Sequence, residues 1–121
     1  LGLVTGKLAD AHLREKVTKL EMDGMIFKMT LYRFMEQAKA GQAIGASSSF
    51  FKYYGTELNK DKFELLMELN GTASLEWEGE ASNDGRLARQ FLRTKANSIE
   101  GGTSEVQLNI IAKHILGLPK K

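Results

Sequence analysis

The stretch from Asp10 to Ala40, DAHLREKVTKLEMDGMIFKMTLYRFMEQAKA, decides the fold class. Leu13, Val17, Leu20, Gly24, Phe27, Leu31, Phe34 and Ala38 recur in alternating steps of four and three. That spacing is a helical seam, since a strand would alternate at every second residue. Met25 and Met35 widen the stripe towards a bundle face. Asp10 supplies an N-cap and Gly41 a stop. Gly24 inside the seam costs about 1 kcal/mol against alanine, and is read as the mark of a close helix crossing. A helix of about thirty residues spans about 45 Å, so it needs long neighbours.

Outward from this helix the chain keeps the same character. Gly41 to Ala46 reads as a linker, and Ser47 or Ser48 as the cap of a second helix running to about Leu69. Phe51, Tyr54, Leu58, Leu65 and Leu69 share one face of it, with Phe50, Phe63, Leu66 and Met67 alongside and Asp61 and Lys62 interrupting. The aromatic run Phe50-Phe51-Lys52-Tyr53-Tyr54 is read as core packing, because no basic groove accompanies it to make a base-stacking platform. Asn70-Gly71 is a stop. An acidic, irregular loop from Thr72 to Asn83 follows, with Trp77 expected to tuck inward among Glu76, Glu78 and Glu80. Asp84 is expected to cap a third helix from about Gly85 to Ala96, with Leu87, Ala88, Phe91 and Leu92 inward. Ser104-Glu105-Val106-Gln107 fits a capping box opening a last helix. Val106, Ile110, Ile111, Ile115 and Leu116 form its apolar stripe, and Gly117 and Pro119 end it. The expected architecture is an all-α, antiparallel helical bundle of about four helices.

Composition bounds the function. The 121 residues make one domain, 1–121. With 42% hydrophobic and 26% charged residues, the chain has the mix of a folded globular domain. Cysteine is absent, which excludes disulfide scaffolds, cysteine-ligated metal and thiol catalysis. A net charge of +2, from interleaved basic and acidic residues, argues against a nucleic-acid partner. No stretch is long and apolar enough for a membrane span. The first residue is Leu, so the sequence is read as a fragment of a longer chain.

Few residues point to chemistry. His12 and His114, the two histidines, belong to no metal-ligand or triad pattern, so no metal is expected. The carboxylates around Trp77 have nothing to orient them as an acid–base pair. One constellation stands out: Ile99-Glu100-Gly101-Gly102-Thr103-Ser104-Glu105. Two glycines let the backbone approach a ligand closely, and a following helix start offers N–H groups to an electron-rich group. A tight interhelical turn would use the same residues.

The last segment, SIEGGTSEVQLNIIAKHILGLP from Ser98 to Pro119, resembles the end of the acyl-CoA dehydrogenase family, with its Gly-Thr-Ser-Glu-Ile-Gln stretch and closing Leu-Gly-Leu-Pro. Ala46-Ser47-Ser48-Ser49, Lys52 and Glu57-Leu58 are similar to the family's Ser-x-x-Lys helix start, and Arg89-Gln90-Phe91-Leu92-Arg93 to its penultimate helix. The resemblance covers about Asp10 to the C-terminus and corresponds to the family's C-terminal helical domain only. It implies a full-length flavoprotein that binds FAD and oxidises an acyl-CoA to the trans-2-enoyl-CoA. A carboxylate would take the α-proton, and electrons would pass on to an electron-transfer flavoprotein. It implies that Thr103 and Glu105 contact the flavin while Gly102 and Ser104 shape the turn. A homo- or hetero-oligomer, dimer or tetramer, is implied as well. The compartment would be the cytoplasm in a bacterium and the mitochondrial matrix in a eukaryote.

Three departures qualify the resemblance. The position where many members carry the catalytic Glu is Gly101, so this segment supplies no usual base. Glu100 is a candidate substitute, although its offset by one residue should point it elsewhere. The family's Gln-x-x-Gly-Gly stretch is represented by Met67, Asn70 and Gly71, and the basic residue after the final Gln is Leu108. The expected fragment is inactive alone. The alternative reading is a base-less partner subunit or a helical assembly module.

Overall fold

The computed structural model describes residues 3–4 and 7–119. A two-residue hairpin opens the chain, with β1 (Leu3–Val4) antiparallel to β2 (Lys7–Leu8). Four helices follow: α1 (Ala11–Lys39), α2 (Ser47–Asn70), α3 (Arg86–Asn97) and α4 (Ser104–His114). Two 3-10 turns, Gly71–Leu75 and Glu80–Ser82, fill the connection between α2 and α3. The class is all-α.

Cross-helix contacts fix the direction. Phe34 meets Phe51 edge-on at 5.0 Å, Phe27 lies 5.7 Å from Tyr54, and Lys16 pairs with Glu68 at 2.8 Å. Descending α1 therefore ascends α2, so the two are antiparallel. Asn59 meets Asn97 and Glu64 meets Lys95, which sets α3 antiparallel to α2 as well. Each of α1, α3 and α4 packs on α2, which is the hub of the bundle.

The core is thin. Leu13, Leu65 and Ala88 are its buried apolar residues among those described, alongside buried Ser49, Ser74, Thr94 and Gln107. Two of the buried hydroxyls are satisfied locally: Thr94 donates to the Phe91 carbonyl at 2.6 Å and Ser74 to that of Met67 at 2.7 Å.

Several local expectations are corrected. Asp10 caps α1 as expected, its carboxylate accepting from the His12 and Leu13 amides at 2.8 and 3.0 Å. Ser47 and Ser48 do not cap α2. The N-cap is Ala46, already helical, and the chain enters through tight turns from Ile44 to Ser47 and Ala46 to Ser49. A side-chain cap needs an extended N-cap residue, which the start of α2 lacks. Asp84 does not cap α3 either: its carboxylate turns back to the Gly79 amide, and Gly85 takes the N-cap place. Trp77 is not tucked inward. It is 45% exposed, with the Arg89 guanidinium 3.9 Å above its ring, so a cation covers it instead of the core. Leu92 is exposed.

α1 is two-faced. Its seam rests on α2, but Met22, Met25, Ile26, Met29 and Tyr32 are each more than half exposed. At 100° per residue they cluster opposite the seam. Met25 thus belongs to the outer stripe, and Met35 and Leu31 are also exposed, so the widening expected of the inner face does not occur. The close crossing is not at Gly24, where nothing lies within 4 Å of an added Cβ, but at Gly55, where Phe27 Cζ would stand 3.0 Å away.

Candidate functional site: the diglycine turn before α4

Residues 98–103 join α3 to α4, and their conformation follows from the two glycines. Gly101 and Gly102 have φ of +67° and +100°, values that residues with a Cβ rarely adopt. At Gly102 there is a second reason: an added Cβ would lie 2.6 Å from Gln107 Nε2. At Gly101 the space is open. The turn closes with the Ser104 amide donating to the Ser98 carbonyl at 3.1 Å.

α4 starts one residue earlier than the capping box places it. Thr103 is the N-cap, extended at φ −64° and ψ 162°, and its Oγ1 accepts from the Val106 amide at 3.3 Å. Ser104 is the first helical residue. Its hydroxyl donates to Glu57 Oε1 on α2 at 3.1 Å, and Gln107 reaches back to donate to the Gly101 carbonyl at 3.1 Å. The reciprocal Ser104–Gln107 box is therefore absent, because Thr103 rather than Ser104 has the extended backbone that capping requires.

The structure adds three residues that local spacing could not assign to this turn. Lys52 Nζ donates to the Gly102 carbonyl at 2.6 Å across fifty residues of sequence. Glu57 accepts from Ser104 and pairs with Lys60 at 2.8 Å. Lys52 and Glu57 stood in the Ser-x-x-Lys segment, but nothing in that segment said what they would touch. An open groove of about 390 Å³ runs beside the turn, lined by Tyr53, Lys60, Ile99, Thr103, Glu105 and Leu108 among others.

The carboxylates have distinct settings. Glu105 is exposed in the first turn of α4, where its own backbone N–H and the Thr103 hydroxyl hold its carboxyl below the usual range. Glu100 is exposed too, and the Arg93 guanidinium, then the Asn97 amide, hold its carboxyl low. Gly101 brings no side chain. The sequence-expected binding residues Gly102, Thr103, Ser104 and Glu105 thus share one short turn, Ser104 facing α2 and Thr103 and Glu105 lining the groove. His12 and His114 lie exposed in the first turn of α1 and the last of α4. Among the described residues no group of three potential ligands could hold a metal ion, and no helix is long and apolar enough to cross a membrane.

Comparison with known proteins agrees on one family. The acyl-CoA dehydrogenase C-terminal domain family matches residues 5–116. The acyl-CoA dehydrogenase FadE34 of Mycobacterium tuberculosis is 34% identical over 88 residues, covering 73% of this chain and 11% of its own length. The acyl-CoA dehydrogenase IpdE1 of Mycolicibacterium smegmatis is 29% identical over 118 residues, covering 97% of this chain and 28% of its own. Among solved structures, a chain of the ChsE4-ChsE5 complex from Mycobacterium tuberculosis superposes with a TM-score of 0.74 at 28% identity, over 93% of this chain and 29% of that one. The chain therefore spans less than a third of each of these relatives.

Proposed function

The chain belongs to the acyl-CoA dehydrogenase family, whose C-terminal helical domain it matches, and from this we propose that it serves an FAD-dependent α,β-dehydrogenation of an acyl-CoA thioester by a longer parent protein. The observation that carries the reading is the clamped turn from Gly101 to Glu105. Its backbone is fixed from α2 and α4, while Thr103 and Glu105 face the open groove.

The donor set fits part of a dinucleotide site. Thr103 offers a hydroxyl and Glu105 an acceptor, and the turn offers backbone N–H groups to phosphate, ribose or ring oxygens. These residues would hold one edge of FAD, and the chemistry that group would supply there is acceptance of a hydride from the acyl β-carbon. The rest of the flavin and acyl pocket belongs to parts of the parent outside this chain. Gly102 and Ser104 shape the turn, Ser104 through its bond to Glu57 at the edge of the groove.

The segment around Gly101 supplies no base. A general base works best with a pKa near the operating pH. Glu100 is held low by Arg93 and faces α3, and Gly101 has nothing to accept a proton. We assign the α-proton to a carboxylate outside these residues. The isolated domain is inactive and binds FAD weakly or not at all. The parent hands its electrons to an electron-transfer flavoprotein. It works as a homo- or hetero-oligomer in which the outer stripe of α1 and the exposed Ile115 and Leu116 of the C-terminal end are covered.

The test is the visible spectrum of the full-length parent before and after an acyl-CoA is added. A flavin band that bleaches supports the reading. A colourless protein that cannot be reconstituted with FAD overturns it. A second reading, a base-less subunit paired with a different, active one, is favoured by Gly101. The solved relative is a chain of a complex between two named components. It predicts a flavin band that bleaches only when the second subunit is present.

A further inference from the structure

Lys52 has no role in the reading above beyond contact. It projects from the second turn of α2, is half-buried, and spends one ammonium proton on the Gly102 carbonyl at 2.6 Å. Gln107, buried on α4, does the same for the Gly101 carbonyl at 3.1 Å. A trans peptide is planar, with C=O and N–H in opposite directions. Fixing the Gly101 carbonyl against the protein therefore turns the Gly102 N–H away from it, and fixing the Gly102 carbonyl does the same for the Thr103 N–H. Among the described residues neither N–H has an acceptor. Successive N–H groups turned outward form a concavity for an oxygen acceptor.

We propose that Lys52 is a positioning residue: with Gln107 it clamps the two carbonyls of the diglycine turn, and so aims the Gly102 and Thr103 N–H groups at the bound dinucleotide. The identity of that ligand rests on the proposed flavoenzyme function, whereas the clamp is a property of this chain. Lys52 suits the task because a charged donor makes a shorter and stronger bond to a carbonyl than a neutral one. Its stem also crosses the half-buried flank of α2 without exposing a polar atom. A helix N-terminus alone does not fix the orientation of the peptide planes before it. A cation seated on one of those carbonyls does.

The experiment compares the full-length protein with its Lys52→Met and Lys52→Arg variants by amide hydrogen exchange, read by mass spectrometry. The reporter is the peptide around Ser104 and Val106, whose amides depend on the turn through Ser98 and Thr103. Reference peptides lie around Leu65 in α2 and Thr94 in α3. Lys52→Met, which keeps the stem and removes the donor, is expected to speed exchange in the reporter roughly tenfold and leave the references alone. Lys52→Arg, which keeps a cationic donor, is expected to restore protection. Gln107→Met is expected to loosen the same reporter. The dissociation constant for FAD is expected to rise in step with exchange. Unchanged exchange in Lys52→Met overturns the clamp, and so does equal loosening of reporter and references in both Lys52 variants, which marks a general packing role. A parent that binds no FAD but shows the local effect keeps the clamp and discards the flavoenzyme reading alone.

Discussion

Arg93 Nη2 stands 3.0 Å from both carboxylate oxygens of Glu100, and Asn97 adds a hydrogen bond of 2.7 Å to one of them. The acidic side chain immediately before the diglycine pair is thereby tied back to α3. Glu100→Gln is expected to leave substrate bleaching of the parent's flavin within about threefold of wild type. Loss of a true base costs on the order of 10²–10⁴ in rate, and a drop of that size would restore Glu100 as the proton acceptor. The pH behaviour follows from the lowered carboxyl. Its folded value lies below the ordinary 4.5, so the pair's contribution is fully present above that value and fades as pH falls through the folded one. The difference in urea midpoint between wild type and Glu100→Gln should be small, because the pair is exposed. It should vanish at the acid end.

The two glycines of the turn should respond unequally to alanine. Gly101→Ala meets open space and only the left-handed backbone opposes it, a cost of about 1 kcal/mol. Gly102→Ala meets the same opposition and also displaces Gln107 Nε2, which breaks the bond to the Gly101 carbonyl. Its cost should exceed that of Gly101→Ala by about 1 kcal/mol or more. Equal denaturation midpoints for the two variants would contradict the geometry.

Gly24 offers a gain. It lies inside α1 with nothing within 4 Å of its missing Cβ. Gly24→Ala should therefore raise stability by about 1 kcal/mol through helix propensity alone. A lower melting temperature in this variant would mean that the space beside Leu58 is filled in the intact protein.

Asp61 sits in the groove between α1 and α2 near Lys19 and Glu64. The residue is exposed at the mouth of this groove, where partial desolvation raises its carboxyl first and the charges of Glu64 and Glu57 raise it further, against Lys60 and Lys19. A raised acid penalises the fold wherever it is ionised, so the penalty is present above its folded value and disappears below the unfolded one. Asp61→Asn should be more stable than wild type near neutral pH, and the gain should shrink to nothing as pH falls below the ordinary aspartate range. A gain that persists unchanged in acid would trace to something other than this charge.

The turn shows how far sequence reasoning reaches. Gly-Gly followed by Thr-Ser-Glu announces a positive-φ turn and a helix start, and both are there. Which hydroxyl caps was misassigned by one residue, because that depends on whether Thr103 or Ser104 is extended. The partners of the turn were invisible for a different reason. Lys52 and Glu57 reach it from α2 across some fifty residues, and local spacing says nothing about such distances. Trp77 fails in the same way. Its size argues for burial, but Arg89 brings a cation to its exposed ring.

The sequence by itself determined four helices, their limits to within a residue or two, the seam that joins α1 to α2, and the family. These follow from local rules: a period of 3.6, caps, glycine stops and an unbroken motif. Tertiary structure alone decided that α2 is the hub and that the close crossing falls at Gly55 rather than Gly24. It also decided that Met22, Met25, Ile26, Met29 and Tyr32 form a second, outward stripe on α1. Periodicity tells which residues share a face. Only packing tells which face has a neighbour, because burial is a relation between segments that the order of residues does not record.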